Sequence, residues 1–363
     1  MKNLNAIIEK RNLPELMKGK CGKAIDTSED FLLRREEIKK ILSNSEYGII
    51  PEKPKHLKAE IISCDEAFAG GKVSLSEIRL TLTFEEKEFS FLVSSAIPKT
   101  KDKCPAILHI SFFDAKPNKY EPTEEICDKG FAIFSFKYDD ITTFDGNFKS
   151  GISPYFSKSR RCISGTGKIA MWAWAAMRVM DYVESLDEID KENVAVIGHS
   201  LLGKAALVVG AFDERFKFTI SNNSGTSGAA LSRAKRGESA EKLTNEAPFL
   251  FCKKYSNSMA KFYDTKEFDQ HFLLALIAPR FLAVGSAESD FASDAESEFL
   301  SCFAASEAYS VFGLQGLVSH DEIPTAKVVL SDGEISYHLR EGLPYLSLED
   351  WRIYIDFIKK NLH

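Results

Sequence analysis

The stretch that most constrains the fold is residues 193–212, Asn-Val-Ala-Val-Ile-Gly-His-Ser-Leu-Leu-Gly-Lys-Ala-Ala-Leu-Val-Val-Gly-Ala-Phe. Val194 to Ile197 is a short apolar run of the kind expected for a strand covered on both faces, and the Ala, Leu and Val residues after Lys204 suit an interior helix. Only a sharp turn fits between them, with Ser200 at its apex and the small Gly198 ahead of it. A serine held at such a strand-to-helix elbow projects its hydroxyl above the sheet. There the next backbone N–H and the helix N-terminus can stabilise an oxyanion. The alternative is an ordinary N-cap of a core helix, a position that serine favours. The common elbow reads Gly-x-Ser-x-Gly; here Leu202 takes the second glycine's place and Gly203 follows one residue late.

The remainder of the chain alternates strands and helices. Strand-like runs at 105–113, 130–136, 216–220 and 278–285 are separated by helical patterns, one starting near Pro122 and one, 169–182, apolar on nearly every side. That order predicts a mostly parallel sheet of about eight strands with right-handed crossovers and helices on both faces. Runs at 75–84 and 89–97, joined by charged residues 85–88, predict an antiparallel pair in the same sheet. The last strand candidates are 326–331 and 335–340, and Ser347-Leu-Glu-Asp350 caps a closing helix over 351–362. Residues 28–42 read as an N-capped amphipathic helix with Leu32, Leu33, Ile38 and Ile41 on its apolar positions. Residues 137–168 read as a long surface excursion, and 233–268 as a helical insertion. The expected organisation is an N-terminal helical extension over 1–57 and one three-layer α/β domain over 58–363.

A net charge of −6 over 363 residues offers no basic footprint, so nucleic acid and anionic membrane are not expected partners. No stretch reaches the roughly 18 uninterrupted apolar residues of a membrane helix, and the N-terminus lacks a secretory apolar core, which predicts a cytoplasmic protein. The seven cysteines are scattered and without Cys-x-x-Cys spacing, so neither a disulfide framework nor a zinc site is expected. No cofactor and no metal are called for.

With these residues in view, the chain resembles the α/β hydrolases related to glucuronoyl esterases and acetyl xylan esterases of carbohydrate esterase family 15. The resemblance runs along most of the chain. It rests on Tyr47-Gly48-x-x-Pro51, Pro117-Asn-Lys-Tyr120, Trp172-Ala-Trp174, Gly198-His-Ser-Leu-Leu-Gly-Lys204, Asn223-Ser-Gly-Thr-Ser-Gly-Ala-Ala230, Ala278-Pro-Arg280 and Tyr337-His-x-Arg-x-Gly342 before Asp350-Trp351. The late glycine followed by lysine is that family's own elbow. The resemblance implies an α/β-hydrolase fold, Ser200 as nucleophile, and an oxyanion hole from Leu201 and the loop at Phe112. Asp290 is the implied acid, with Glu288 and Asp294 as alternatives, and Lys204, Trp174, Glu288 and His320 are pocket candidates. The implied partner is a small-molecule ester or carbohydrate, a uronic acid ester or an acetylated sugar. The missing export signal favours small imported fragments over polymer.

Three departures from the family pattern remove chemistry. Leu201 stands where the family carries an arginine that helps hold the oxyanion. Asn223 stands where some members carry a glutamate. Relatives place the catalytic histidine after the last strand as Gly-x-His, and this chain has Gly342-Leu343-Pro344. A replacement base must then come from His320, His338 or His363, while His199 and His271 read as structural. His338 is nearest, but at about 3.3 Å per residue it lies roughly 20 Å of extended chain before position 344, so its strand would have to end early. A carboxylic ester hydrolase and a catalytically degenerate carbohydrate-binding relative are both compatible with these residues.

Overall fold

A computed structural model of the chain describes residues 4–362 other than 21, 86, 115–120, 157–160 and 262–266. Ten strands form one sheet: β1 (His56–Asp65), β2 (Val73–Phe84), β3 (Lys87–Pro98), β4 (Cys104–Ser111), β5 (Ala132–Lys137), β6 (Ile189–His199), β7 (Phe218–Asn222), β8 (Phe281–Ala287), β9 (Val328–Leu330) and β10 (Ile335–Arg340). Their order is β1-β2-β3-β5-β4-β6-β7-β8-β10-β9. The run from β5 to β10 is parallel throughout, and the pairs at either edge are antiparallel. The α/β-hydrolase expectation holds, and the β2–β3 hairpin joins the main sheet as its pattern predicted. β1 was not legible: it is an edge strand whose residues, Leu57 apart, are all exposed, so no inward apolar row marks it.

Among the helices that frame the sheet are α1 (Leu4–Arg11), α2 (Ser28–Ser45), α3 (Thr123–Asp128), α4 (Lys168–Val183), α5 (Leu201–Phe212), α6 (Ala295–Ala305) and α7 (Leu348–Lys360). Alternate residues of the central strands part to opposite faces, as a period of two requires. Leu108, Val194 and Val196 join the core that holds α4 and α5, whereas Ile107, Ala195 and Ile197 join the one that holds Trp351, Ile355 and Ile358 of α7. Every residue of α4 except Asp181 is buried. The elbow strand β6 lies at the centre of the sheet, with β4 on one side and β7 on the other.

α2 is capped by Thr27, and only part of the expected apolar face is buried. Leu32 and Leu33 are 48% and 72% exposed, while Phe31, Ile38 and Leu42 point inward. The buried stripe also takes in Arg34 and Arg35, whose guanidinium groups reach the Leu16 carbonyl and Glu214. Pattern reading counts arginine as outward; here its stem packs and its head finds a partner. Residues 233–268 carry the short helices Ala240–Glu246 and Lys253–Asn257 and no strand among the described residues. The Pro117–Tyr120 motif lies outside the described residues.

Candidate active site

Ser200 stands between β6 and α5 with φ 54° and ψ −122°, a backbone conformation that costs a non-glycine residue on the order of 1–3 kcal/mol. Its N–H donates to the Asn222 carbonyl oxygen at 2.8 Å, which pins the turn to the end of β7. A Cβ at Gly198 would fall 2.1 Å from the Leu202 oxygen, so only glycine admits so close a return of the chain. Ser200 occupies the N-cap position, yet its side chain caps nothing, and its Oγ has no hydrogen-bond partner among the described residues. The capping alternative therefore fails, and the hydroxyl is available to a ligand. Leu201, the first residue of α5, offers an N–H with no intrahelical acceptor.

Two cavities meet at Ser200. One, of about 310 Å³, is lined by His109, Ser111, Phe112, Phe113, His199, Ser200, Tyr345 and Leu346. Its aromatic lining suits an apolar group, and Phe112 at the end of β4 stands where the second oxyanion donor was expected. The other, of about 440 Å³, is the more polar of the two; Lys204, Asn223, Glu238, Glu246, Asp290 and Pro344 share it with His199, Ser200 and Leu201. Lys204 is buried and its Nζ donates to the carbonyl oxygens of Ser224 and, at 2.7 Å, Thr226. Burial brings its pKa down to about 8. The cavity's carboxylates suit a ligand rich in hydroxyl donors.

Asp290 reaches this polar cavity. Its Oδ2 accepts from Asn223 Nδ2 at 3.2 Å and its Oδ1 from the Ser293 N–H at 3.0 Å. Neither alternative acid competes: Glu288 is exposed and lines neither cavity, and Asp294 caps α6 by accepting from Ser297. Pro344, where the resemblance puts the catalytic histidine, lines the same cavity as Ser200 and Asp290.

The structure does not bring His338 to Ser200. β10 runs on to Arg340, so His338 stays inside the sheet, opposite Gly285. Its Nε2 meets Asp350 Oδ1 at 2.8 Å, its ring packs on Tyr354, and it lines neither cavity. Asp350 also takes Arg340 Nε at 2.9 Å and caps α7 with Ser347. The trio is a buried brace between β10 and α7. His320 is exposed and away from both cavities, and His363 lies outside the described residues. His271 is buried, with Nε2 on the Pro14 carbonyl. Trp174 is a core residue, not a pocket wall: its Nε1 donates to the Glu52 carbonyl and its ring stacks on Phe84.

Several groups at the site carried no sequence signal. Asn222 accepts from His199 Nδ1 at 2.7 Å and donates to Tyr354 Oη at 2.9 Å. His109 Nδ1 meets Glu121 Oε2 at 2.6 Å. Glu298, fully buried behind the 223–226 loop, accepts from the Gly225 N–H at 2.8 Å and from Ser286 Oγ at 2.6 Å. Burial raises its pKa to about 7, against the pull of those hydrogen bonds. Among the described residues no group of three or more metal-ligating side chains occurs, and no helix is long and apolar enough to cross a membrane.

Comparison with known proteins places this geometry. Residues 80–313 match the family described as glucuronyl esterase of fungi. A carbohydrate esterase, MZ0003, from an unknown prokaryotic organism is 40% identical over 238 residues, 64% of this chain and 54% of that protein. This chain thus spans about half the length of that relative. The 4-O-methyl-glucuronoyl methylesterase of Thermothelomyces thermophilus is 26% identical over 353 residues, 92% of this chain and 82% of that one. Among solved structures, a glucuronoyl esterase from Solibacter usitatus superposes with a TM-score of 0.89 at 31% identity, covering 97% of this chain and 98% of its own.

Proposed function

The chain belongs to the glucuronoyl esterase family, carbohydrate esterase family 15, and from that premise we propose that it is a serine carboxylic ester hydrolase acting on esters of uronic acid sugars. The observation that carries this reading is the strained Ser200 elbow, with its hydroxyl unengaged where a polar and an aromatic cavity meet. The polar cavity suits the sugar, whose hydroxyls would donate to Glu238 and Glu246. The aromatic cavity suits the ester's alcohol. Ser200 Oγ attacks the carbonyl carbon between them, and the oxyanion forms against the Leu201 N–H and the positive end of α5.

One observation favours a second reading, a degenerate relative that binds sugar without turning it over: Pro344 brings no ionisable group to the wall it shares with Asp290 and Ser200. Hydrolysis of benzyl glucuronate separates the two. The hydrolase reading expects ester cleavage that Ser200→Ala abolishes. Binding of glucuronate by wild type with no turnover, unchanged in Ser200→Ala, sinks it. An acetylated xylose run alongside tests whether acetyl esters are also accepted.

A further inference from the structure

We propose that the base serving Ser200 is its own chain neighbour, His199, whose Nε2 takes the serine proton through one cavity water. The assignment rests on the hydrolase reading above and supplies the part that Pro344 removes. Among the described residues only two imidazoles, His109 and His199, line either cavity at Ser200, and only His199 lines both. His109 pairs in register with Ile197, three residues and about 10 Å of strand before Ser200. His199 adjoins the nucleophile.

The protonation of His199 follows from its partner. Asn222 stands with Oδ1 towards His199 Nδ1 and Nδ2 towards Tyr354 Oη, and in that orientation the amide oxygen can only accept. The ring therefore carries its hydrogen on Nδ1 and keeps the lone pair on Nε2. That nitrogen has no partner among the described residues and is not one of the sealed polar atoms, and the residue lines both cavities. Imidazole and amide stand here as base and orienting group, the task a carboxylate performs in other serine sites. The Asn222 main chain meanwhile holds the Ser200 N–H. One residue fixes both.

The electrostatics suit a base. Burial lowers the His199 pKa below the ordinary 6.5 and outweighs the Asn222 hydrogen bond and the carboxylates of Asp350 and Asp290, with Arg340 acting in the same sense as burial. His109, held by Glu121, and Tyr345 are the other titratable groups of the aromatic cavity. The imidazole is neutral at pH 7.

In acylation the Oγ–H bond breaks as Oγ bonds to the ester carbon. The proton passes to the water, which gives one of its own to Nε2. As the tetrahedral intermediate collapses, the C–O bond to the alcohol breaks and the imidazolium returns a proton to the departing alkoxide. Because His199 also lines the aromatic cavity, it stands on the side from which the alcohol leaves. Water then attacks the acyl-enzyme by the same route and releases the uronate and Ser200.

The test uses benzyl glucuronate turnover and fluorophosphonate labelling of Ser200 in wild type, His199→Gln, His109→Gln and Ser200→Ala, each checked by thermal melting. The expected result is a 10²- to 10⁴-fold loss of kcat in His199→Gln, the usual worth of a general base, with slow labelling, and a smaller loss in His109→Gln. His199→Gln within threefold of wild type, while Ser200→Ala is dead, overturns the base assignment and leaves the hydrolase reading intact. So does loss of activity in His109→Gln alone. Turnover that Ser200→Ala leaves unchanged, or a wild type that neither hydrolyses nor labels, overturns both. If His199→Gln does not fold, wild-type labelling against pH decides: a one-proton fall with its midpoint below the ordinary 6.5 is expected, and a profile flat to the acid limit of the folded protein refutes the assignment.

Discussion

Asn223 Nδ2 donates to Asp290 Oδ2 across 3.2 Å, so an amide holds the carboxylate that reaches the cavity at Ser200. Both belong to the wall that Pro344 completes. Ser200, Leu201 and Asp290 all line that cavity, and Pro344 offers no proton acceptor among them. The double variant Pro344→His, Leu201→Arg is expected to raise Ser200-dependent hydrolysis of a glucuronate ester by at least tenfold, since a directly hydrogen-bonded base replaces a relayed one and a cation faces the oxyanion. The same pair of changes in a Ser200→Ala background should give no gain, and kcat in the two backgrounds checks it.

Gly198→Ala is expected to destabilise the protein by about 2 kcal/mol or more, because its Cβ would meet Leu202 O at 2.1 Å and Leu202 C at 2.4 Å, both main-chain atoms of the elbow helix that cannot swing aside. A lower urea midpoint at unchanged slope is the readout. Ser200 labelling should slow as well, since the elbow geometry is what exposes Oγ.

His338→Gln tests the brace. Gln can keep the hydrogen bond to Asp350 Oδ1 but not the ring contact with Tyr354, so a stability loss of about 1–2 kcal/mol is expected. Ser200-dependent turnover of the folded variant should stay within about twofold of wild type. A drop of a hundredfold would return His338 to the site.

How far these features were legible follows from where each signal sits. The elbow was readable because strand, turn and helix lie within twenty consecutive residues, and a buried α4 because its apolar residues cover every side. That Asp290 shares a cavity with Ser200 followed from its place after β8. His199 was readable only as a residue beside the nucleophile: its tautomer depends on Asn222, and Asn222 on Tyr354, far apart in the chain. Glu298 is the same case. A glutamate within α6 reads as a solvated helix position, and only the meeting of Gly225, Ser286 and α6 makes it a buried one. Trp174 failed for the opposite reason, since an aromatic residue in a motif carries the same letters whether it lines a pocket or the core.

Glu298 gives the last prediction, a pH dependence of stability with a defined sign. Its pKa is about 7 in the folded chain, against an ordinary 4.5, because burial penalises the carboxylate more than Ser286 and Gly225 favour it. Between those two values the folded protein holds a proton that the unfolded chain has released. The contribution to stability is therefore fully present below about pH 4.5 and is lost as pH rises to about 7, at roughly 1.4 kcal/mol per unit at most. Glu298→Gln is neutral throughout. Its Oε1 can accept from Gly225 and its Nε2 donate to Ser286 Oγ, so the loop at 223–226 keeps its support. The Glu298 charge also raises the pKa of Lys204 and Lys235, so its coupling to those two amines is part of any difference between the two proteins. The difference in unfolding free energy, variant minus wild type, should shift in the variant's favour by a few kcal/mol between pH 4.5 and pH 7 and then level off. Urea titrations of both proteins across pH 4.5–8 measure it. Parallel curves would mean that Glu298 is ionised in the folded chain across that range.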